Sequence, residues 1–279
     1  MRVFLFLASL LPLKPAKKII RGLMVLFPFQ RLEAYKITLI NISTCFPNLS
    51  TDEKESLAKR SFVETACSFY ETLYSLSRSP KKISQNILRV DNKYLMSQPL
   101  RAGGGLIISG IHNRSVDMLL QWINSQTPTV GIYKPIKNKI ADAHVKKHRE
   151  QLKSKVYSTS YKGVKELFKA INKNKVIIMA SDQVPQDGMG EYAKFFGREA
   201  YTTTLIPSLA NKTRKPLLYI GLFSASENSL KISCKEAPEE TSIQSMNKTM
   251  QEMILNCPED YSWEYKRFKK PPENLDYPY

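Results

Sequence analysis

The chain has 279 residues, of which 42% are hydrophobic, with 16 prolines and 11 glycines, a composition typical of a globular protein and not of a disordered one. Its 42 Lys and Arg residues outnumber its 25 Asp and Glu residues, and the net charge of +17 indicates a polyanionic partner: nucleic acid, an anionic membrane or an acidic protein. The four cysteines form no Cys-x-x-Cys pair, which indicates neither a disulfide framework nor a zinc site and fits a reducing compartment.

Residues 1–30 combine apolar and basic runs. Met1 to Leu13 is almost wholly apolar, but it is shorter than the roughly 20 residues that span a bilayer, and its charges follow it, unlike those of a signal peptide. The basic residues that follow are Lys14, Lys17, Lys18 and Arg21. With a second apolar run at 22–29, this pattern predicts a membrane-associating segment whose lysines face anionic headgroups on the cytoplasmic side. The alternative is a terminal helix packed on the core.

Strands and helices alternate through the centre of residues 31–279. A capping box, Ser50 with Glu53, opens a long amphipathic helix. Apolar runs at 106–108, 128–133 and 176–180 predict buried strands, and the segments between them have helical spacing. We therefore expect an α/β fold with a central mixed sheet flanked by helices on both faces.

His112 and Asp117 stand where the first of these strands gives way to a helix. On one continuous helix they would lie about 140° apart, so they meet only if His112 lies in the loop and Asp117 in the first helical turn. The carboxylate would then orient the imidazole as a base. Asp182 follows another strand, and sites in α/β sheets gather beyond the carboxyl ends of strands. The alternative for the His112 segment is a polar capping cluster at a strand-to-helix turn.

Two other features allow a partner or a metal. Residues 134–175 hold 13 basic and 3 acidic residues, a net +10, which we interpret as a docking surface, the alternative being a solvated basic face. His144 and His148 are spaced i,i+4 on a predicted helix. Asp142 is the nearest candidate for a third ligand, and a plain surface helix is the favoured interpretation. We predict no metal and no nucleotide cofactor.

An ordered set of motifs resembles the bacterial lipid A biosynthesis (late, Kdo-dependent) acyltransferases, within the wider group of His-x-x-x-x-Asp/Glu acyltransferases. The resemblance runs from about Asn41 to Lys270. The motifs that carry it are Asn41 with Cys45-Phe46-Pro47, Ile111-His112 through Asp117, Tyr133-x-Pro135, Arg149, Ser181-Asp182-Gln183, Phe195-Phe196-Gly197, the triplet Thr202-Thr203-Thr204, and Pro258-Glu259-x-Tyr261-x-Trp263 leading into Arg267-Phe268-Lys269.

The resemblance implies transfer of a fatty acyl chain from acyl carrier protein to a hydroxyl of a glycolipid at the cytoplasmic face of the bacterial inner membrane. By position, His112 and Asp117 match the family's catalytic pair. Arg149 and Asp182 match its functional arginine and aspartate, as oxyanion or substrate-binding groups. Arg114 and Lys134 are expected to contact substrate phosphates. The chain departs from the family at Lys134, where the family usually has Arg.

Three alternatives remain open at this stage. One is a lysophospholipid or other polar-lipid acyltransferase with the same base. The residues Asn113-Arg114-Ser115, inside the His-x-x-x-x-Asp motif, favour it because they are similar to those of the glycerolipid branch. Another is a non-enzymatic protein that binds anionic membranes or nucleic acid, although no recognition-helix, zinc-finger or RNA-binding motif supports it. A third is a degenerate family member, for which Lys134 is the only hint.

Overall fold

A seven-stranded mixed sheet forms the centre of the fold in the computed structural model, which describes residues 10–226 and 229–279. Its strands lie in the order β1-β9-β8-β2-β5-β3-β4. All neighbours pair in parallel except β8 and β9, which are antiparallel. The strands are β1 (Ile87–Asp91), β2 (Leu106–Gly110), β3 (Thr129–Tyr133), β4 (Lys155–Ser158), β5 (Val176–Ala180), β8 (Leu217–Ser226) and β9 (Ser229–Glu236).

Helices connect these strands, and a separate antiparallel hairpin lies outside the sheet. The hairpin consists of β6 (Gly190–Phe195) and β7 (Arg198–Thr203). The α-helices among the described residues are α1 (Leu13–Leu26), α2 (Glu33–Cys45), α3 (Thr51–Ser75), α4 (Pro80–Ser84), α5 (Tyr94–Ala102), α6 (Val116–Gln126), α7 (Lys139–Arg149), α8 (Tyr161–Asn172), α9 (Leu205–Thr213) and α10 (Ile243–Leu255). The segment 86–101, which the sequence leaves undefined, contains β1 and most of α5.

Helices cover both faces of the sheet, and the burial of strand β2 shows this. Its side chains alternate between faces, and all five residues are buried. Ile107 packs into one apolar core with residues of α8, α9 and α10, whereas Leu106 and Ile108 pack into another with residues of α6. The predicted α/β fold with helices on both faces is confirmed. The division into a segment at 1–30 and a domain at 31–279 stays a prediction.

The long helix α3 begins as the sequence predicts. The Ser50 hydroxyl accepts a hydrogen bond from the Glu53 N–H, and the Glu53 carboxylate accepts one from the Ser50 N–H, which completes the capping box. The threonine triplet leads from β7 into α9: β7 extends to Thr203, Thr204 directly precedes α9, and the Leu205 N–H donates to the Thr203 hydroxyl.

The N-terminal helix α1 has one buried face and one exposed apolar face. Leu13, Ala16 and Lys17 are buried, whereas Leu23 is 62% exposed and Val25 is 83% exposed. Burial of Lys17 corrects the expectation that this lysine faces a headgroup. None of the described helices is long and apolar enough to cross a bilayer. The apolar run at residues 1–9 lies outside the described residues.

Candidate active site

Two loops at the carboxyl edge of the sheet form the candidate site. Strands β2 and β5 are parallel neighbours, and Gly110 pairs with Ala180 at their ends. His112 and Asp182 each stand two residues beyond that pair, so the register itself places them side by side. The backbone holds this arrangement, because the Ser181 N–H donates to the Gly110 carbonyl and the Ser262 N–H donates to the His112 carbonyl.

Asp182 holds His112 at two points. One carboxylate oxygen lies 2.7 Å from His112 Nδ1, and the other accepts a hydrogen bond of 2.9 Å from the His112 backbone N–H. Burial acts to lower the pKa of His112, but the charge and hydrogen bond of Asp182 leave it above its ordinary value. Burial acts to raise the pKa of Asp182, and His112 brings it below its usual range. Asp182 therefore stays ionised and fixes the ring so that Nε2 remains for a substrate.

Asp117 does not take the place that the sequence predicts for it. It lies in the first turn of α6, as expected, but both of its oxygens accept hydrogen bonds from Arg149, at 2.7 Å from Nε and 3.0 Å from Nη2. Such a bidentate pair fixes the guanidinium plane. The expected hydrogen bond from the His112 ring to Asp117 is therefore replaced by one to Asp182, and Asp117 acts on Arg149.

Arg114 corrects a second expectation. Its side chain is fully buried and donates to Glu71, Glu64 and Asp260, with Nη1 lying 2.7 Å from an oxygen of each of the last two. A guanidinium committed to three carboxylates inside the protein has no free face for a substrate phosphate. Arg114 is part of the scaffold under the His112 loop and not a substrate contact.

A cavity of about 510 Å³ opens beside His112, a size usual for a small-molecule site. Its walls are largely apolar side chains from α6, α8 and the ends of β3, β4 and β5. Because the strand order runs β2-β5-β3-β4, Val156 of β4 lines the part of the cavity furthest along the sheet from His112.

Cationic side chains line the same cavity. Arg149 contributes to its wall and packs 5.3 Å over the Tyr133 ring, and Lys134 is exposed and also lines the cavity. Lys269 and Lys270, from the segment after β9 and α10, line it as well. The structure thus brings His112, Arg149 and Lys134 to one cavity, with Asp182 behind His112 and Asp117 behind Arg149, and leaves Arg114 out.

Sequence reasoning missed two groups beside the His112–Asp182 pair. Tyr261 is 4% exposed, and burial, reinforced by the charge of Asp182, raises its pKa well above the ordinary value. Burial also raises the pKa of Glu264, whose carboxylate accepts a hydrogen bond from Thr65 and interacts with His112. Their motif, Tyr261-x-Trp263-Glu264, was visible in the sequence, but its position against the loop depends on contacts from distant parts of the chain.

The two remaining histidines do not form a metal site with their neighbours. His144 is buried, and its Nε2 lies 3.2 Å from the Leu76 carbonyl oxygen. Across residues 10–226 and 229–279, no group of three or more His, Cys, Asp or Glu side chains is placed to hold a metal ion.

An imidazole–carboxylate pair beside an apolar cavity is an arrangement that can take a proton from a hydroxyl group. A family model described as "Bacterial lipid A biosynthesis acyltransferase" matches residues 1–270. The chain belongs to this family, and it is an O-acyltransferase. The resemblance seen in the motifs is confirmed.

Characterised relatives are similar over most of their length. The chain is 23% identical over 253 residues to the lipid A biosynthesis lauroyltransferase of Escherichia coli K12, covering 86% of this chain and 80% of that protein. It is 21% identical over 242 residues to the lipid A biosynthesis palmitoleoyltransferase of the same organism, covering 83% and 78%. A lipid A biosynthesis acyltransferase of Haemophilus influenzae is 22% identical over 243 residues, covering 84% and 76%.

Proposed function

We propose that this protein moves a fatty acyl chain from the thioester of acyl carrier protein to a hydroxyl of a lipid A precursor or related glycolipid, in lipopolysaccharide biosynthesis. The observation that carries the proposal is the His112–Asp182 pair at the mouth of an apolar cavity, in a chain that belongs to a family of acyltransferases. The relatives with named activities transfer lauroyl and palmitoleoyl groups in lipid A biosynthesis, which supports this acceptor class.

His112 acts as the general base. With Nδ1–H donated to Asp182, Nε2 carries the lone pair that removes the proton from the acceptor hydroxyl. The oxygen attacks the thioester carbonyl carbon and forms the new C–O bond. The C–S bond then breaks, and the leaving thiolate takes the proton from the imidazolium. The ionised Asp182 stabilises the imidazolium between these steps.

Arg149 stabilises the oxyanion that forms at the thioester carbonyl. Asp117 accepts hydrogen bonds from Nε and Nη2 of Arg149, so the orientation of the guanidinium is set before a substrate binds. The remaining N–H groups of Arg149 donate to the oxyanion in the cavity. In this proposal Asp117 keeps a role in catalysis by positioning Arg149. Lys134, which is exposed at the cavity, contacts a substrate phosphate.

The acyl chain occupies the apolar part of the cavity, from His112 toward Val156. The acidic carrier protein docks on the basic surface of residues 134–175, where Lys162, Lys165 and Lys169 are exposed along α8. Charge complementarity supports this partner, since the chain carries +17. No nucleic acid takes part.

The reaction takes place at the cytoplasmic face of the bacterial inner membrane. The apolar exposed face of α1 supports this location, because side chains such as Leu23 and Val25 would be covered by the membrane interface. The adjacent apolar residues 1–9 belong to the same predicted segment.

The test is acyl transfer by the purified full chain in detergent, with acyl carrier protein thioesters as donors. A lipid A precursor and lysophosphatidate are compared as acceptors. We expect transfer to the lipid A precursor and loss of about 100-fold or more of kcat in His112→Ala. Transfer to lysophosphatidate alone would give the polar-lipid alternative, and full activity of His112→Ala would refute the base.

A further inference from the structure

Six charged side chains gather beneath the His112 loop, where α1, α3 and the short 3-10 turn at Pro258–Asp260 meet. Three are cations and three are carboxylates, so the charges of the cluster balance. The members are Lys17, Arg21, Arg114, Glu64, Glu71 and Asp260. Because most of them are buried, removal of one charge leaves another without compensation in a place that water does not easily reach.

Glu71 is shared between the N-terminal helix and the His112 loop. Its Oε1 lies 3.1 Å from Lys17 Nζ, and neither side chain is exposed to solvent. The same oxygen accepts hydrogen bonds from Arg114, at 2.5 Å from Nη2 and 3.0 Å from Nε. Among the described residues, Lys17 Nζ has no hydrogen-bond partner, and its close contact is the ion pair with Glu71.

Arg114 connects Glu71 to the His112 loop, because His112 lies two residues before it in the chain. The Arg114 backbone N–H donates to the Asp260 carbonyl, and the Ser262 backbone N–H donates to the His112 carbonyl. The loop is therefore held from both sides by residues 260–262, and the direction in which Arg114 points is set by Glu71. If Lys17 is replaced by a neutral residue, the cluster has a net charge of −1, and Arg114 is then the cation that remains paired with Glu71.

We infer that Lys17 is a positioning residue for the acyl transfer reaction: α1 supplies a buried charge that fixes Arg114 and, through the loop, the His112 ring against Asp182. The N-terminal helix is thus part of the catalytic scaffold, as well as the part of the chain whose other face is apolar and exposed. This inference rests on the proposed role of His112 as the base.

The experiment compares Lys17→Met, the milder Lys17→Gln and the conservative Lys17→Arg in detergent, where membrane attachment plays no part. The control is Lys36→Met, which removes an exposed lysine from the neighbouring helix α2. Steady-state kinetics give kcat and KM. The downfield proton resonance of His112 Nδ1–H, assigned by its absence in His112→Ala, reports the bond to Asp182 directly.

We expect kcat to fall about tenfold in Lys17→Met and about threefold in Lys17→Gln, with KM within about twofold of wild type, since a small misplacement of a base costs rate. The resonance should shift or broaden in both, and Lys17→Arg and Lys36→Met should resemble wild type. An unchanged resonance, or a kcat of Lys17→Gln within about twofold of wild type with KM unchanged, overturns the inference. If wild type itself transfers no acyl chain, the proposed function fails, and the resonance still decides whether Lys17 positions His112.

Discussion

At the scale of single residues, Asp182 takes the position beside the His112 ring that the sequence predicts for Asp117. Asp182 orients the His112 ring, and Asp117 orients Arg149. Each carboxylate accepts two hydrogen bonds from its partner residue, so it fixes the orientation of that residue and stabilises its positive charge. The imidazole and the guanidinium are therefore oriented by separate carboxylates, one in the loop after β5 and one in the first turn of α6.

Replacement of Asp182 by Asn should change the pH dependence of the reaction. The base must be neutral, so kcat/KM rises as pH rises through the pKa of His112, and Asp182 holds that pKa above its ordinary value. In Asp182→Asn the pKa of His112 falls, and the acid limb of the profile moves to lower pH while kcat drops about 100-fold or more. An acid limb at the wild-type pH in this variant would show that Asp182 does not act on His112.

Replacement of Asp117 by Asn tests the other pair. Loss of the charge weakens both bonds to Arg149, and we expect kcat to fall about tenfold to 100-fold. The acid limb should stay near that of wild type, because Asp117 does not contact the imidazole in this arrangement. A shift of the acid limb as large as that of Asp182→Asn would instead support the His112–Asp117 pair that the sequence predicts.

Arg114→Met should destabilise the protein rather than weaken substrate binding. It leaves Glu71, Glu64 and Asp260 without their shared cation, and loss of one partner of a buried ion pair costs about 3–5 kcal/mol of unfolding free energy. Chemical denaturation measures this loss. Arg101→Met is the matched control, since Arg101 is exposed, and its expected effect is within about 0.5 kcal/mol. Wild-type stability with a raised KM for the acceptor would support the phosphate contact after all.

At the scale of elements, the ends of four neighbouring parallel strands form the site and its cavity. Val156, at 3% exposure, lines the far end of the cavity in β4. Val156→Phe should shorten the preferred acyl chain by about two to four carbons, because a larger side chain fills the space that the methyl end would occupy. Donor thioesters of graded length measure the preference. Val145→Phe overpacks a buried valine of α7 that does not line the cavity, and it should leave the preference unchanged.

The sequence could predict the elements but not all of their neighbours. His112 and Asp182 each follow an apolar run, so their position at the carboxyl edge was predictable from local pattern. That β2 and β5 are adjacent, and that the two side chains therefore meet, depends on strand order, which local periodicity does not encode. Helical spacing likewise gave the length of α3, but it did not show that Glu64 and Glu71 face buried cations. A carboxylate among apolar positions was the one available signal of the Arg114 cluster.

At the scale of the whole molecule, the net charge of +17 bears on the proposed docking of an acidic carrier protein. Raising the salt concentration should increase KM for the acyl carrier protein thioester, because screening weakens attraction between the acidic carrier and a chain of charge +17. A neutral acyl-pantetheine thioester should show little change. The variant Lys165→Glu, on the exposed face of α8, should raise KM for the carrier thioester alone. Equal salt dependence for both donors would argue against docking on this surface.

The central claim is that this chain adds an acyl group to lipid A and that His112 performs the chemistry. Mass spectrometry of lipid A from cells with and without the gene tests it most directly, with His112→Ala expressed at the same level as the control. The expected result is lipid A heavier by one fatty acyl group only in cells that carry the wild-type gene. Lipid A of unchanged mass, or the same added mass with His112→Ala, would contradict the account.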